Sequence, residues 1–313
     1  MVRQYQAQSL LEYSLLRFKE LGDTYVSRVI GMDVVFTCDP ENIKHILQRR
    51  FDDFDIGPLR RHLFTPVNPD GIFGFDGAEW RARRKLFRVH FADTRTVVDL
   101  DTIEMHLQEM VLRIPSHGAG VDIQQLFVAL MTDTLGTLAV GEPMHALLTE
   151  RSNYENKVDK ALFFVKSRIA RFGMSKPLSW LSDEMRFRSA GAIVRAYTEK
   201  FVRQAMDQNT LLEKQGETDE KIFRRSFVHG SIYDGHSLST VRDQASSIYL
   251  AGIESVAALL SATFWYLSQD QRVFQTLRGC ILERFGSEDK PGYDDLNTIP
   301  YLRSIFNEGR QVS

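Results

Sequence analysis

Two short stretches carry side chains whose types and spacing could do chemistry. In Gly77-Ala-Glu-Trp-Arg-Ala-Arg-Arg84, Trp80 and Arg84 stand four residues apart. On a helix they share a face, and an indole N–H beside a guanidinium fork can grip carboxylates. Arg81, Arg83, Lys85 and Arg88 crowd the same stretch, so a solvated basic helix with a buried tryptophan is a second reading. In Tyr249-Leu-Ala-Gly-Ile-Glu-Ser-Val-Ala-Ala258, Ala251 and Gly252 leave a gap on the surface of a long helical pattern. Glycine inside a helix costs about 1 kcal/mol relative to alanine, so it usually serves a close approach. Glu254 and Ser255 beside that gap could relay protons to a bound oxygen species. The alternative is tight helix packing at Gly252, with the Ser255 hydroxyl bonded back to its own helix.

The elements that must position these groups are mostly helical. Ser9 to Leu21 has an amphipathic pattern, and two β-rich runs, 25–30 and 34–38, flank Gly31-Met-Asp33 as a hairpin. Asp39 and Pro40 are suited to open a helix over Pro40 to Gln48. Arg49 to Gly77 has the glycine and proline punctuation of a long loop and is rich in phenylalanine. Those rings either line a ligand pocket or anchor the loop to the core. Helical patterns follow at 79–91, 97–114, 123–140, 153–172, 184–208, 223–228, 239–268, 271–284 and 301–308. Breaks fall at 118–120, 141–143, 173–177, at Gly216 and at 286–292. With no repeat and no linker, the expectation is one mainly α domain over 1–313 with a small β element.

Composition sets limits on partners. The 313 residues are 43% hydrophobic and 26% charged, so a sizeable core can form. A net charge of −2 gives no global attraction to nucleic acid. The two cysteines, Cys38 and Cys280, form no C-x-x-C pair, so no metal site is expected and both read as structural thiols in a reducing compartment. Met1 to Gln8 is polar, and the uncharged run Ser255 to Gln269 is 15 residues long, under the ~18 expected of a spanning helix. No transmembrane anchor is expected.

Taken in order, these stretches resemble the cytochrome P450 monooxygenases. The resemblance is carried by the Trp80-x-x-x-Arg84 helix, the later Ala251-Gly-x-Glu-Ser255 helix and Ile299-Pro-Tyr-Leu-Arg-Ser-Ile-Phe-Asn-Glu308. Asp70-Gly-Ile-Phe-Gly-Phe-Asp-Gly-Ala-Glu-Trp-Arg81, His90-Phe-Ala92 and Val121-Asp-Ile-Gln-Gln-Leu-Phe127 are similar to the fungal alkane and fatty-acid ω-hydroxylase branch. The resemblance runs from about Leu10 to Glu308 and implies the N-terminal and central part of that fold.

It also implies roles. Trp80 and Arg84 match the residues that bind haem propionates. Ala251 and Gly252 match the groove for dioxygen, Glu254 the acid and Ser255 the threonine of the oxygen-activation motif. Serine keeps the hydroxyl and loses the methyl that stiffens its rotamer. The implied partners are a small apolar substrate, a long aliphatic or natural-product molecule, and NADPH–cytochrome P450 reductase, for which the Arg81–Arg88 face is a docking patch. Full-length relatives sit at the endoplasmic reticulum membrane.

Two departures qualify the resemblance. Glu308-Gly-Arg310 sets the arginine one residue early for Glu-x-x-Arg, and no cysteine follows Cys280 in a glycine-rich haem loop. The expectation is therefore a chain truncated before its thiolate ligand and without turnover. A non-catalytic pseudoenzyme or truncated gene product, and a helical lipid- or partner-binding module, are the alternatives.

Overall fold

A computed structural model describes residues 10–29, 32–91, 99–116, 118–148, 153–172, 179–286, 290–295 and 298–312. The chain divides into two compact units, Met1–Arg84 with Val158–Arg195, and Lys85–Lys157 with Ala196–Ser313. The architecture is mainly α with a small two-stranded sheet.

The first unit opens with α1 (Leu10–Leu21) and a hairpin of β1 (Thr24–Val29) and β2 (Met32–Thr37). The strands are antiparallel, with Tyr25 opposite Phe36 and Val26 opposite Val35. Tyr25 stacks on Phe36 with ring centroids 5.2 Å apart and meets Phe18 of α1 edge-on. Asp39 caps α2 (Pro40–Lys44) by accepting from the Glu41 and Asn42 N–H groups. The helix continues as a π turn over His45–Arg49.

The segment expected to be a long loop contains a helix, α3 (Gly57–Phe64). The Gly57-Pro58 pair starts this helix instead of breaking it. Proline in the first turn gives up an N–H that has no intrahelical partner anyway. The Asp76 carboxylate accepts from the Ile56 and Gly57 N–H groups at 2.9 and 3.3 Å, and Leu63 and Phe64 are buried. Asp76 then leads into α4 (Gly77–Phe91). This unit also holds the later part of α7 (Asn153–Phe172) and the start of α8 (Ser179–Lys214). Gly191 lets α8 lie against backbone: a Cβ there would sit 2.8 Å from the Pro66 carbonyl oxygen and 2.9 Å from Val67 Cα. Arg195 donates to the same carbonyl.

The second unit is built on two apolar helices, α6 (Ile123–Val140) and α11 (Leu238–Gln269), the most extensively paired elements of the fold. Leu126, Phe127 and Leu130 bury against Ala257, together with Leu147 and with Met110 of α5 (Leu100–Val111). Both helices are long and apolar enough to cross a membrane by length and composition. The 15-residue uncharged run understated this, because buried Asp243 and exposed Glu254 merely interrupt a longer apolar helix. Their pairing with each other is what core helices do. Gly141 ends α6 in the left-handed region at φ 86°, its N–H donating to the Thr137 carbonyl.

The short helix expected over 223–228 is two helices, α9 (Glu220–Phe223) and α10 (Phe227–Tyr233). Ser226 separates them: its backbone is extended and its hydroxyl accepts from the His229 N–H, so it caps the second helix. The chain closes with α12 (Gln271–Phe285), capped by Asp270, and α13 (Pro300–Val312), which runs past the expected end at Glu308. Gly309 makes that possible, because a Cβ there would lie 2.7 Å from Thr263 Oγ1 of α11. The break expected at 173–177 lies outside the described residues.

Candidate functional site

The residues singled out in the sequence fall into two sets, one in each unit. In the first, Trp80 is half-buried and packs against Phe51 with ring centroids 5.4 Å apart. It forms part of the wall of a cavity of about 500 Å³ with Phe54, Phe73, Phe75 and Ile56. The phenylalanines of the long segment therefore line a cavity as well as anchoring the chain. Asp52, Asp55, Asp76, Arg60 and Arg81 give the same cavity a polar rim.

One turn on, Arg84 is exposed. Its neighbours are engaged: Arg81 pairs with Asp52, and Arg83 pairs with Asp70 while stacking 3.4 Å over the Phe75 ring. Arg84, Lys85 and Arg88 have no hydrogen-bond or ion-pair partner among the described residues, and neither has the Trp80 indole N–H. The basic stretch thus separates into arginines that hold the loop and cations that face solvent.

The second set lies on α11. Ala251, Glu254 and Ser255 are exposed, and Gly252 is half-buried. A Cβ at Gly252 would meet Leu135 Cδ1 of α6 at 2.6 Å. The glycine therefore serves close packing of the two central helices, while the open surface lies at Ala251. Ser255 Oγ donates to the Ala251 carbonyl at 2.8 Å and approaches the Gly252 carbonyl at 3.3 Å. In this rotamer the hydroxyl proton is held by its own helix.

His90, part of the motif near the end of α4, anchors to the second unit's core. Its Nε2 lies 3.3 Å from Ser231 Oγ and 3.6 Å from Asp234 Oδ2, and Gly230 leaves room for the ring. Serine and aspartate meet the same nitrogen, so this is not a nucleophile–base–acid relay, in which they would sit on opposite ring nitrogens. Burial holds the His90 imidazole below its usual pKa.

A cytochrome P450 family profile matches residues 2–309 of this chain. The chain belongs to the cytochrome P450 family. It is 29% identical to cytochrome P450 52A12 of Debaryomyces hansenii, over 96% of this chain and 60% of that protein. It is 30% identical to the cytochrome P450 monooxygenase himC of Aspergillus japonicus, over 98% of this chain and 55% of that protein. The chain thus spans 55–60% of the length of these relatives. Among solved structures, the haem domain of cytochrome P450DA superposes with a TM-score of 0.74 at 15% identity, covering 96% of this chain and 64% of that one. That likeness confirms the fold.

P450 membership implies haem. The N–H groups of Trp80 and Arg84, without partners among the described residues, fit the carboxylates of such a cofactor. Cys38 is exposed after β2, its thiol donates to Asp23 Oδ1 at 3.7 Å, and desolvation together with the Asp23 charge raises its pKa. Cys280 is half-buried within α12.

Sequence reasoning missed one grouping. His106 and Glu109 of α5 meet Asp133 of α6. The i, i+3 spacing of the first two was visible, but nothing in the chain pointed to a partner on the next helix.

Proposed function

We propose that this P450 chain belongs to a haem-dependent monooxygenase acting on long aliphatic molecules, with electrons supplied by NADPH–cytochrome P450 reductase. The observation that carries the reading is Trp80, whose indole N–H has no partner among the described residues, in the wall of a phenylalanine-rich cavity, with the exposed Arg84 one turn further along the same helix. Donors for carboxylates and an apolar chamber occur together in one unit, as a haem enzyme of apolar substrates requires. Haem, when bound, supplies the redox chemistry that places one oxygen atom of dioxygen into a C–H bond.

The chain's own residues contribute cofactor contacts, substrate binding and proton delivery. Trp80 and Arg84 hold the cofactor's carboxylates by charge-assisted hydrogen bonds. The phenylalanines bind the substrate by burying its methylenes, at about 0.8 kcal/mol for each CH₂. On α11, the Ser255 hydroxyl leaves the Ala251 carbonyl and offers its proton outward, and the Glu254 carboxyl replenishes it. Lys85 and Arg88, exposed and without partners among the described residues, present positive charge to an acidic reductase surface. Exposed Leu15, Leu16 and Leu21 on α1 suit residence against the endoplasmic reticulum membrane.

The test is expression of the gene product with a reductase, followed by incubation with NADPH and long-chain fatty acids or alkanes. Hydroxylated product dependent on haem supports the reading. A soluble, folded product that takes up no haem and oxidises none of these substrates overturns it.

A further inference from the structure

His106, Glu109 and Asp133 form a cluster within the second unit, on helices that carry none of the residues assigned above. One ligand atom from each lies within 4.8 Å of the other two. His106 and Asp133 are each 1% exposed. Glu109 is more open, which leaves a path from solvent.

The hydrogen bonding leaves this cluster short of positive charge. Thr137 Oγ1 donates its proton to the Asp133 carbonyl at 3.2 Å, so it faces His106 Nε2 as an acceptor at 3.3 Å. A neutral imidazole must then carry its proton on Nε2. Its bare Nδ1 lies 3.1 Å from Glu109 Oε2, acceptor against acceptor. A cation placed between them would resolve that contact. Asp133 spends one lone pair of each oxygen on the Ala146 and Leu147 N–H groups, at 2.7 and 2.8 Å, and keeps others for a cation. No lysine or arginine pairs with either carboxylate among the described residues. His145, which also acts on Asp133, is exposed. Asp243, equally buried, shows the contrast: Arg242 Nε donates to it at 2.7 Å.

We propose that His106, Glu109 and Asp133 bind one divalent first-row transition ion of the zinc type, clasping α5 to α6. One imidazole nitrogen and two carboxylates suit such an ion, and its two charges neutralise both acids. In a tetrahedral site, bonds of about 2.0–2.1 Å set ligands about 3.3 Å apart. The His106–Glu109 separation of 3.1 Å already matches, and Asp133, within 4.8 Å of both, closes the remaining distance by turning its side chain. Thr137 orients the ring through its other nitrogen, as outer partners of metal-bound histidines do. A water reaching in past Glu109 fills the fourth position.

The experiment titrates the purified chain, stripped with chelator, with Zn²⁺ and separately with Co²⁺. Calorimetry should show one equivalent bound, Zn²⁺ should raise the melting temperature, and Co²⁺ should give the visible absorption of a low-coordinate site. Glu109→Gln should abolish this binding while keeping the fold, because its side chain is partly exposed; His106→Gln should do the same. Failure of the unaltered chain to bind one equivalent overturns the proposal. So does binding that Glu109→Gln leaves intact in a folded protein. An imidazolium at His106 that persists, seen by NMR, under saturating Zn²⁺ also overturns it, since a proton would then be the cation.

Discussion

Ser255 can be changed without touching any packing. Its hydroxyl bonds only to carbonyls of its own helix, and it is exposed. Ser255→Ala should therefore shift stability by no more than about 0.5 kcal/mol. Under the proposed function it should lower the yield of hydroxylated product per NADPH consumed; an unchanged yield would remove Ser255 from the proposed proton path. The Trp80–Arg84 pair was legible in the sequence because helical spacing alone puts the two on one face. The partner of Gly252 was not: Leu135 is remote in the chain, and only the fold brings it near. His229 was equally silent. It is buried, with Nδ1 2.7 Å from Ser226 Oγ and Nε2 2.9 Å from Gln208 Oε1. Burial first, and then the Arg225 charge, lower its pKa from 6.5 to about 4. Below pH 6.5 the unfolded chain takes up a proton that the folded chain refuses until about pH 4. Stability contributed by neutral His229 is thus full above pH 6.5 and is lost as pH falls toward 4, by at most about 3 kcal/mol. Urea midpoints measured across this window should fall more steeply for the unaltered chain than for His229→Gln.

Helices answer to their neighbours as much as to their own composition. Helix α3 was hidden because glycine and proline are read as punctuation, yet at a helix start they are compatible with it. The single helix expected over 223–228 became two because a serine N-cap competes successfully with helix continuation. Long amphipathic or apolar patterns such as 123–140 and 153–172 were readable to the residue, since many periodic positions vote together. Two glycines separate the kinds of close approach that elements make. At Gly191 the obstacle to a methyl group is backbone, which cannot swing aside. Gly191→Ala should destabilise by about 1–3 kcal/mol despite its better helix propensity. At Gly252 the obstacle is the end of the Leu135 side chain, which can rotate away. Gly252→Ala should stay within about 1 kcal/mol of the unaltered chain, because the propensity gain offsets repacking. Thermal or urea unfolding of the two variants checks the ordering.

For the molecule as a whole, the mainly α class was plain from periodicity, whereas the division into two units was not. Its boundaries, after Arg84, Lys157 and Arg195, fall inside helices, where no glycine or proline announces them. The near-neutral net charge of −2 likewise conceals a local excess of cations on α4. Because Arg81 and Arg83 are engaged in ion pairs and Arg88 is in none among the described residues, the proposed function has Arg88→Glu weakening reductase association while leaving the melting temperature unchanged. The loss should shrink at high salt, as screening predicts, and binding titrations at two ionic strengths would show it. The hairpin has a different kind of reach. Val26 and Val35, opposite each other, are 63% and 61% exposed, and β1 and β2 pair only with each other among the described residues. Two strands leave two rows of backbone N–H and C=O groups able to accept another strand. In concentrated solution the hairpin of one molecule can template that of the next, so self-association growing with protein concentration should begin here, and a lysine at position 26 should suppress it.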